Sequence, residues 1–233
     1  MTCKEYRTKA WEKLHADWGK PILIFFLINL LMGAVSIGFS FNVNPNPDNP
    51  AATIALVSFI GSLLSIIGLI ITGPFTLSKA KVALSIARGE EYETNDVFFG
   101  FKNFLSAFLL NLINGIFIFL WLLLFIVPGI IKAISYSMSY YILHDNPDMD
   151  ANDARLESMR IMEGHKMDAF LLGLSFIGWV LLSILTLGIL FLWVLPYIEV
   201  TMAEFYESIR PITAKENEEA ASLDSEASEE VEL

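Results

Sequence analysis

The most constraining feature of this sequence is an uncharged run near its C-terminal end. From Ala169 to Ile198 there is no acidic or basic side chain, and Thr186-Leu187-Gly188 divides the run in two. In bilayer hydrocarbon every backbone N–H and C=O group must be paired within its own segment, so an apolar run of about 20 residues forms a helix that spans about 30 Å. Two such helices fit between Lys166 and Tyr206. The sequence therefore predicts a helical hairpin in a membrane.

The same pattern occurs earlier in the chain. The spacing Lys-x8-Asn-x3-Gly appears in Lys20–Gly33 and in Lys102–Gly115, and a third copy, Lys166–Gly178, has Ser in place of Asn and its Gly one residue early. Internal repeats set the architecture of a chain, so we expect three hairpins and six spans. The polar residue nine places after each lysine lies about 13 Å deep, close to the bilayer midplane. These three residues are Asn29, Asn111 and Ser175.

The predicted fold class is an all-α membrane protein with six transmembrane helices as three helical hairpins, and short amphipathic interfacial helices on the cytoplasmic side. Residues 1–20 form the first interfacial helix, and 21–210 form the membrane domain. Its expected spans are 21–41, 53–75, 104–127, 129–143, 168–186 and 188–207. A loop from Asn42 to Pro50, rich in Pro and Asn, joins the first two spans.

Composition agrees with this class. Hydrophobic residues make up 55% of the chain, and the mean hydropathy is +0.55, values typical of a membrane protein. The net charge of −11 says little about partners, because many of the acids lie in residues 211–233. That segment has no aromatic residue and is predicted to be a disordered acidic cytoplasmic tail.

The basic residues predict the topology. Lys and Arg gather before the first span, between Thr76 and Asn103, between His144 and Asp168, and after Tyr206, while the three alternate loops have none. The positive-inside rule then places both termini in the cytoplasm.

The turn between spans three and four has two interpretations. Pro128-Gly129 is a turn signal, but it leaves only Gly129 to Leu143 for span four, which is short for a crossing. Either this turn dips into the outer leaflet, or the true turn is earlier, near Trp121.

Glu199 is the clearest anomaly, because an acid near the middle of span six is costly and often functional. It is either a proton or cation site, or a protonated, hydrogen-bonded or interfacial packing residue. Lys132 is its partner by charge, but its predicted depth differs by about 12 Å, so snorkelling to the outer surface is the favoured interpretation. If the turn before span four is buried, the two residues could meet.

Midplane polar residues have a similar pair of interpretations. They could line a polar path, but interhelical hydrogen bonds that hold the hairpins together explain them more simply. The complete candidate intramembrane polar site is Glu199, Asn29, Asn111, Asn114, Ser175 and Lys132.

Basic residues near the inner surface could bind anionic lipid head groups, although ordinary topology signals give the same pattern. The candidate contacts are Lys79, Lys81, Arg88, Lys102, Arg155, Arg160 and Lys166.

Catalysis has no candidate in this sequence. The three histidines are far apart, and neither a nucleophile elbow nor a phosphate-binding glycine loop is present. We therefore expect a protein that is not an enzyme, with no metal, cofactor or nucleic acid. The expected partners are the lipid bilayer with its anionic lipids, and another membrane protein or a second copy of this chain.

Several short motifs carry a family resemblance. They are Trp18-Gly19-Lys20, Pro128-Gly129-Ile130, Gly164-His165-Lys166, the segment Phe170–Trp179, Pro196-Tyr197 and Phe205-Tyr206. In these motifs the chain resembles the DUF975 family of bacterial integral membrane proteins, whose function is unknown. The resemblance implies a multi-pass protein of the bacterial cell (plasma) membrane and little about its chemistry.

The expected function is correspondingly broad. We expect an integral membrane protein that binds lipid, organises the membrane or supports another membrane complex. The alternative is a small-solute or ion transporter or channel that uses Glu199 and the midplane Asn and Ser residues.

Overall fold

A computed structural model of the protein describes residues 2–15, 18–37 and 50–210. Within these ranges it is all-helical, as expected, and contains no strand. The predicted loop that ends at Pro50, apart from Pro50 itself, and the predicted acidic tail 211–233 lie outside the described residues. The elements in order are α1 (Cys3–His15), α2 (Gly19–Ile37), α3 (Pro50–Arg88), a 3-10 helix (Thr94–Phe101), α4 (Phe104–Leu124), α5 (Ile126–Ser135), α6 (Ser139–Asp145), α7 (Ala151–Ile161), α8 (Lys166–Leu174), α9 (Ile177–Leu185) and α10 (Phe191–Ile209).

The centre of the structure is the second half of α3. This helix has 39 residues and continues through Pro74, so it is roughly 58 Å long and exceeds the thickness of a bilayer. Almost every side chain from Phe75 to Ala87 is buried or nearly so, whereas large apolar side chains of the first half, such as Phe59 and Ile66, are exposed. The core therefore lies around the C-terminal half of α3.

Several helices are long and apolar enough to cross a membrane. Four stretches meet this description, and the bent pair α1 and α2, whose axes turn by 104°, gives a fifth if counted as one span. The four are Gly61–Arg88, Phe104–Leu124, Ile126–Asp145 and Lys166–Leu185. Helix α10 is also largely apolar but carries three glutamates. The composition of these helices is that of a membrane protein.

The turn between spans three and four lies at neither predicted position. Helix α4 ends at Leu124, Phe125 is extended (φ −156°, ψ 141°), and α5 begins at Ile126. Pro128 falls in the first turn of α5. Backbone N–H groups in the first turn of a helix have no partner within the helix, so a proline is tolerated there. The helix bounds differ by a few residues from the expected span bounds 104–127 and 129–143, and Ile126–Asp145 is long enough to cross.

Two of the expected spans are broken within their length. Between α5 and α6 the helix is interrupted at Tyr136–Met138, and Ser158 of α7 donates a hydrogen bond of 2.8 Å to the carbonyl oxygen of Ser135 at this break. Between α8 and α9 the interruption falls at Ser175-Phe176. The final turn runs from Thr186 to Leu190, so the last helix begins at Phe191 and not at 188.

The N-terminal helix packs against the end of the last helix. The hydroxyl groups of Tyr6 and Ser208 lie 2.8 Å apart, and the rings of Tyr6 and Phe205 form an edge contact with centroids 5.5 Å apart. Lys13 forms an ion pair with buried Glu204 of α10 and donates to the carbonyl oxygen of Ala87 near the end of α3. Helix α1 therefore joins α3 and α10 at one end of the molecule.

Two glycines allow close backbone contacts with α3. A Cβ atom on Gly73 would overlap the carbonyl oxygen of Ala107 in α4, and one on Gly100 would overlap that of Pro74. The Gly100 N–H also donates to the hydroxyl of Ser78 at 2.9 Å. Small residues at membrane helix contacts permit this approach.

We expect Gly73→Ala to destabilise the protein by about 1–3 kcal/mol, because the added methyl group must displace backbone atoms of α4. For a chain of this size that free energy corresponds to a fall in Tm of roughly 2–10 °C, measurable in detergent by intrinsic fluorescence. Gly115→Ala is the matched control, because a Cβ there meets no atom within 4 Å. Equal Tm values for the two variants would contradict the close approach.

Candidate functional site

The amide of Asn29 in α2 bonds its own helix at one end and α3 at the other. Its Nδ2 donates to the carbonyl oxygen of Phe25 at 2.7 Å, and its Oδ1 accepts a hydrogen bond of 2.9 Å from Lys79 of α3. Lys79, a predicted head-group contact, is thus directed at the interior face between α2 and α3.

Asn111 makes a similar connection to α3 from α4. Its Oδ1 accepts from the hydroxyl of Tyr140 in α6 at 3.2 Å, and its Nδ2 lies 3.4 Å from the carbonyl oxygen of Leu69 in α3. In the third copy Ser175 bonds only to Leu172 of its own helix, at 2.7 Å. The two repeats with Asn therefore bind α3, and the repeat with Ser does not.

Glu199 lies on α10 and is partly buried. Its charged neighbour is Lys79, with which it interacts electrostatically, and its backbone carbonyl lies 3.4 Å from the hydroxyl of Tyr141. Lys132, the expected partner by charge, instead has its ammonium 5.3 Å from the ring centroid of Trp121. Lys79, Asn29 and Glu199 thus form one polar group between α2, α3 and α10.

Asn114 and Arg155 are buried with incomplete hydrogen bonding. The Oδ1 of Asn114 and the Nε of Arg155 have no partner among the described residues. The Arg155 guanidinium lies 4.3 Å from the centroid of Phe117 in α4 and donates to the hydroxyl of Tyr136 at 3.3 Å. This cation packs against aromatic rings inside the protein.

The remaining predicted head-group contacts differ in what they touch. Lys81 pairs with Asp96, and Lys102 lies 5.4 Å from the centroid of Phe99. Arg160 donates to both carboxylate oxygens of Glu157, which holds the pKa of that carboxyl below its usual value. Lys166 begins α8 and is partly exposed. Most of these cations contact groups of the protein itself.

An ionic cluster of Arg88, Asp145, Glu207 and Arg210 joins the C-terminal ends of α3, α6 and α10. Arg88 donates to Asp145 and to Glu207, each at 2.8 Å, and Arg210 donates to Glu207 at 2.8 Å. The hydroxyl of Tyr206 donates to Asp145 at 2.8 Å. Each carboxylate thus has at least two donors.

Of this cluster, only Arg88 is a candidate residue from the sequence. Asp145 and Glu207 are 57 and 119 positions away from it, so no local spacing could indicate that they meet. One signal was available, because the motif Phe205-Tyr206 contains the tyrosine that donates to Asp145.

Metal-binding geometry is not found in the described part of the chain, where no three His, Cys, Asp or Glu side chains converge on a common point.

We expect Arg88→Gln to cost about 3 kcal/mol, because it leaves two poorly exposed carboxylates side by side without their shared cation. The loss appears as a fall in Tm of roughly 6–12 °C, measured in detergent by circular dichroism. Arg160→Gln is the control, because its ion pair with Glu157 is largely exposed and should contribute little. A Tm for Arg88→Gln equal to that of Arg160→Gln would show that the cluster does not hold the three helix ends together.

Comparison with known proteins gives one match. A family model described as protein of unknown function (DUF975) matches residues 1–136 and 124–213. No curated protein and no solved structure matches the chain. Together the two matched ranges of this one family model extend from α1 to beyond the end of α10, so they include all the helices. The chain belongs to the DUF975 family.

Proposed function

We propose that this chain is a non-enzymatic protein of the bacterial plasma membrane that binds lipid at its surface and organises the membrane around it or supports a neighbouring complex. The observation that carries the proposal is an almost wholly apolar groove of about 310 Å³ between α2 and α10. It is lined by Phe25, Phe26, Asn29, Leu30, Gly33, Phe191, Leu192, Leu195 and Pro196. A groove of this size and lining on an apolar helix surface suits an acyl chain.

The hydrogen bonds of the midplane polar residues support this choice over a polar path. Asn29 and Asn111 each use both amide groups to bond protein atoms. Three of these four bonds join different helices, and the fourth, from Asn29 to Phe25, lies within α2. Interhelical bonds stabilise helix association in a bilayer, and groups that are already bonded are not free to bind a passing solute.

A six-span topology with both termini in the cytoplasm is part of the proposal. Helices α2, α3, α4 and α10, together with the interrupted pairs α5–α6 and α8–α9, supply six largely apolar segments. The contact between Tyr6 and Ser208 places the first and last helices at one end, which fits an even number of crossings. The basic residues assign that end to the cytoplasm.

We expect native mass spectrometry of the full chain released from nanodiscs to detect at least one retained phospholipid per protein. Gly33→Leu should reduce the retained fraction severalfold, because the side chain enters the groove from a position where a Cβ meets no atom within 4 Å. Gly173→Leu, an equally open position on α8, is the control. A wild-type protein that carries no lipid would argue against the proposed function.

A second candidate function is transport of a proton or small cation. Glu199 favours it, because no described residue donates a hydrogen bond to its carboxylate and its charged neighbour Lys79 lies across the α3–α10 contact. Such a carboxyl group in a membrane protein is a default proton site.

Transport predicts that the protein in liposomes carries a proton flux, read with an enclosed pH-sensitive dye, and that Glu199→Gln abolishes it because the side chain can no longer titrate. Glu157→Gln, which changes a partly exposed acid on α7 that is paired with Arg160, should leave the flux unchanged. No flux above that of empty liposomes, or equal flux in Glu199→Gln, would remove this candidate.

A further inference from the structure

Four of the five tryptophans of this chain meet at one cleft. The cleft has a volume of about 360 Å³, lies between α1, α9 and α10, and is almost entirely apolar. Its lining residues are Trp11, Trp18, Trp179, Leu190, Trp193, Val194 and Tyr197. The rings of Trp11 and Trp18 have centroids 5.3 Å apart, and those of Trp11 and Tyr197 are 5.8 Å apart.

A basic cleft lies directly beside this tryptophan cleft. It has a volume of about 420 Å³ and is lined by Lys4, Arg7 and Thr8 of α1 together with Trp11 and Tyr197. The last two residues belong to both clefts, so the apolar and the basic spaces share a wall. The combined shape presents an apolar slot that ends in positive charge.

Arg7 is held in position without an opposite charge. Its Nε donates to the hydroxyl of Tyr197 at 3.3 Å, and its guanidinium lies 5.2 Å from the ring centroid of Phe176. Among the described residues no carboxylate pairs with Arg7 or Lys4. Arg88, by contrast, is neutralised by two carboxylates.

The chemistry of the two clefts fits one kind of molecule. A guanidinium has five N–H donors in a planar fork that matches phosphate oxygens, and the Nε bond to Tyr197 uses only one of them. Tryptophan and tyrosine favour the boundary between hydrocarbon and head groups. A single lipid, with its phosphate at Arg7 and an acyl chain against the tryptophans, would occupy both clefts and match the chemistry of each.

We propose that these clefts form a binding site for an anionic phospholipid, with its phosphate at Lys4, Arg7 and Thr8 and one acyl chain in the tryptophan cleft. The inference rests on the proposed lipid-binding function and assigns the head-group contacts to α1 in place of the seven cations predicted from sequence.

The tryptophans provide the test, because brominated acyl chains quench indole fluorescence on contact. The full chain carrying Trp121→Phe, which removes the one tryptophan outside the cleft, is titrated in mixed micelles with dibrominated phosphatidylglycerol or dibrominated phosphatidylcholine. We expect half-maximal quenching at a mole fraction roughly tenfold lower for the anionic lipid, given two cations at the head group. Lys4→Gln/Arg7→Gln should remove this preference.

Three variants separate the site from general effects. Lys20→Gln/Lys102→Gln makes the same change in net charge at two exposed positions elsewhere and should keep the tenfold preference. Arg7→Lys keeps the positive charge, so this variant should keep most of the preference for the anionic lipid. Lys4→Gln alone alters an exposed side chain that cannot disturb folding, and should reduce the preference about threefold.

Each result has a defined meaning. A preference that survives in Lys4→Gln/Arg7→Gln, or that disappears equally in Lys20→Gln/Lys102→Gln, overturns the site. Equal quenching by both lipids in the wild-type sequence, with lipid still retained in native mass spectrometry, overturns the site and leaves the proposed function in place. Absence of both quenching and retained lipid overturns the two together.

Discussion

The structure depends on burial of the C-terminal half of α3. Apolar side chains gain little free energy from meeting each other in hydrocarbon, so helices in a membrane associate through close packing and hydrogen bonds. Both occur here along one helix. Gly73 admits the backbone of α4, Ser78 accepts from the backbone of Gly100, and Lys79 donates to Asn29. Helices α2, α4, α6 and α10 are thereby arranged around a single buried segment.

Charge is distributed unequally over this arrangement. Where three helix ends meet, Arg88 and Arg210 neutralise Asp145 and Glu207, and Lys13 pairs with buried Glu204. Arg7 differs from Arg88 and Lys13, because aromatic groups orient it, no described carboxylate neutralises it and it lines an open cleft. Internal pairing fixes the helix ends, whereas an unneutralised cation beside an apolar cleft is available to an external anion. That contrast separates the cations that stabilise the fold from those proposed to bind lipid.

Much of the fold follows from the sequence because hydrophobic length is a local property. Uncharged runs indicate the helical class. Local signals are also visible at helix ends, because Gly89, with positive φ, directly follows α3, and the Asp150 side chain caps α7 by accepting from the Asn152 N–H. The turn at Phe125 was misplaced, because Pro128 and Gly129 are turn formers that also fit a first helical turn. The partners of Glu199, Lys79 and Arg88 could not be predicted, since each contact joins distant helices and long side chains can reach several neighbours. The Lys-x8-Asn-x3-Gly repeat predicts that Asn29 and Asn111 are equivalent positions, but it contains no information about which helix they bond; in the structure both contact α3.

The contact between α1 and α10 has a consequence for the order of assembly. Tyr6 and Ser208 are 202 positions apart, and the ion pair of Lys13 with Glu204 spans 191. During synthesis the N-terminal helix emerges first, but its docking surface is completed only when the last helix has been made. In this interval Tyr6 and Trp11 have no α10 to cover them, and the bilayer surface is the nearest apolar phase. Closure of α1 is therefore a late step, and a chain truncated before α10 should leave its first helix exposed to quality-control proteases.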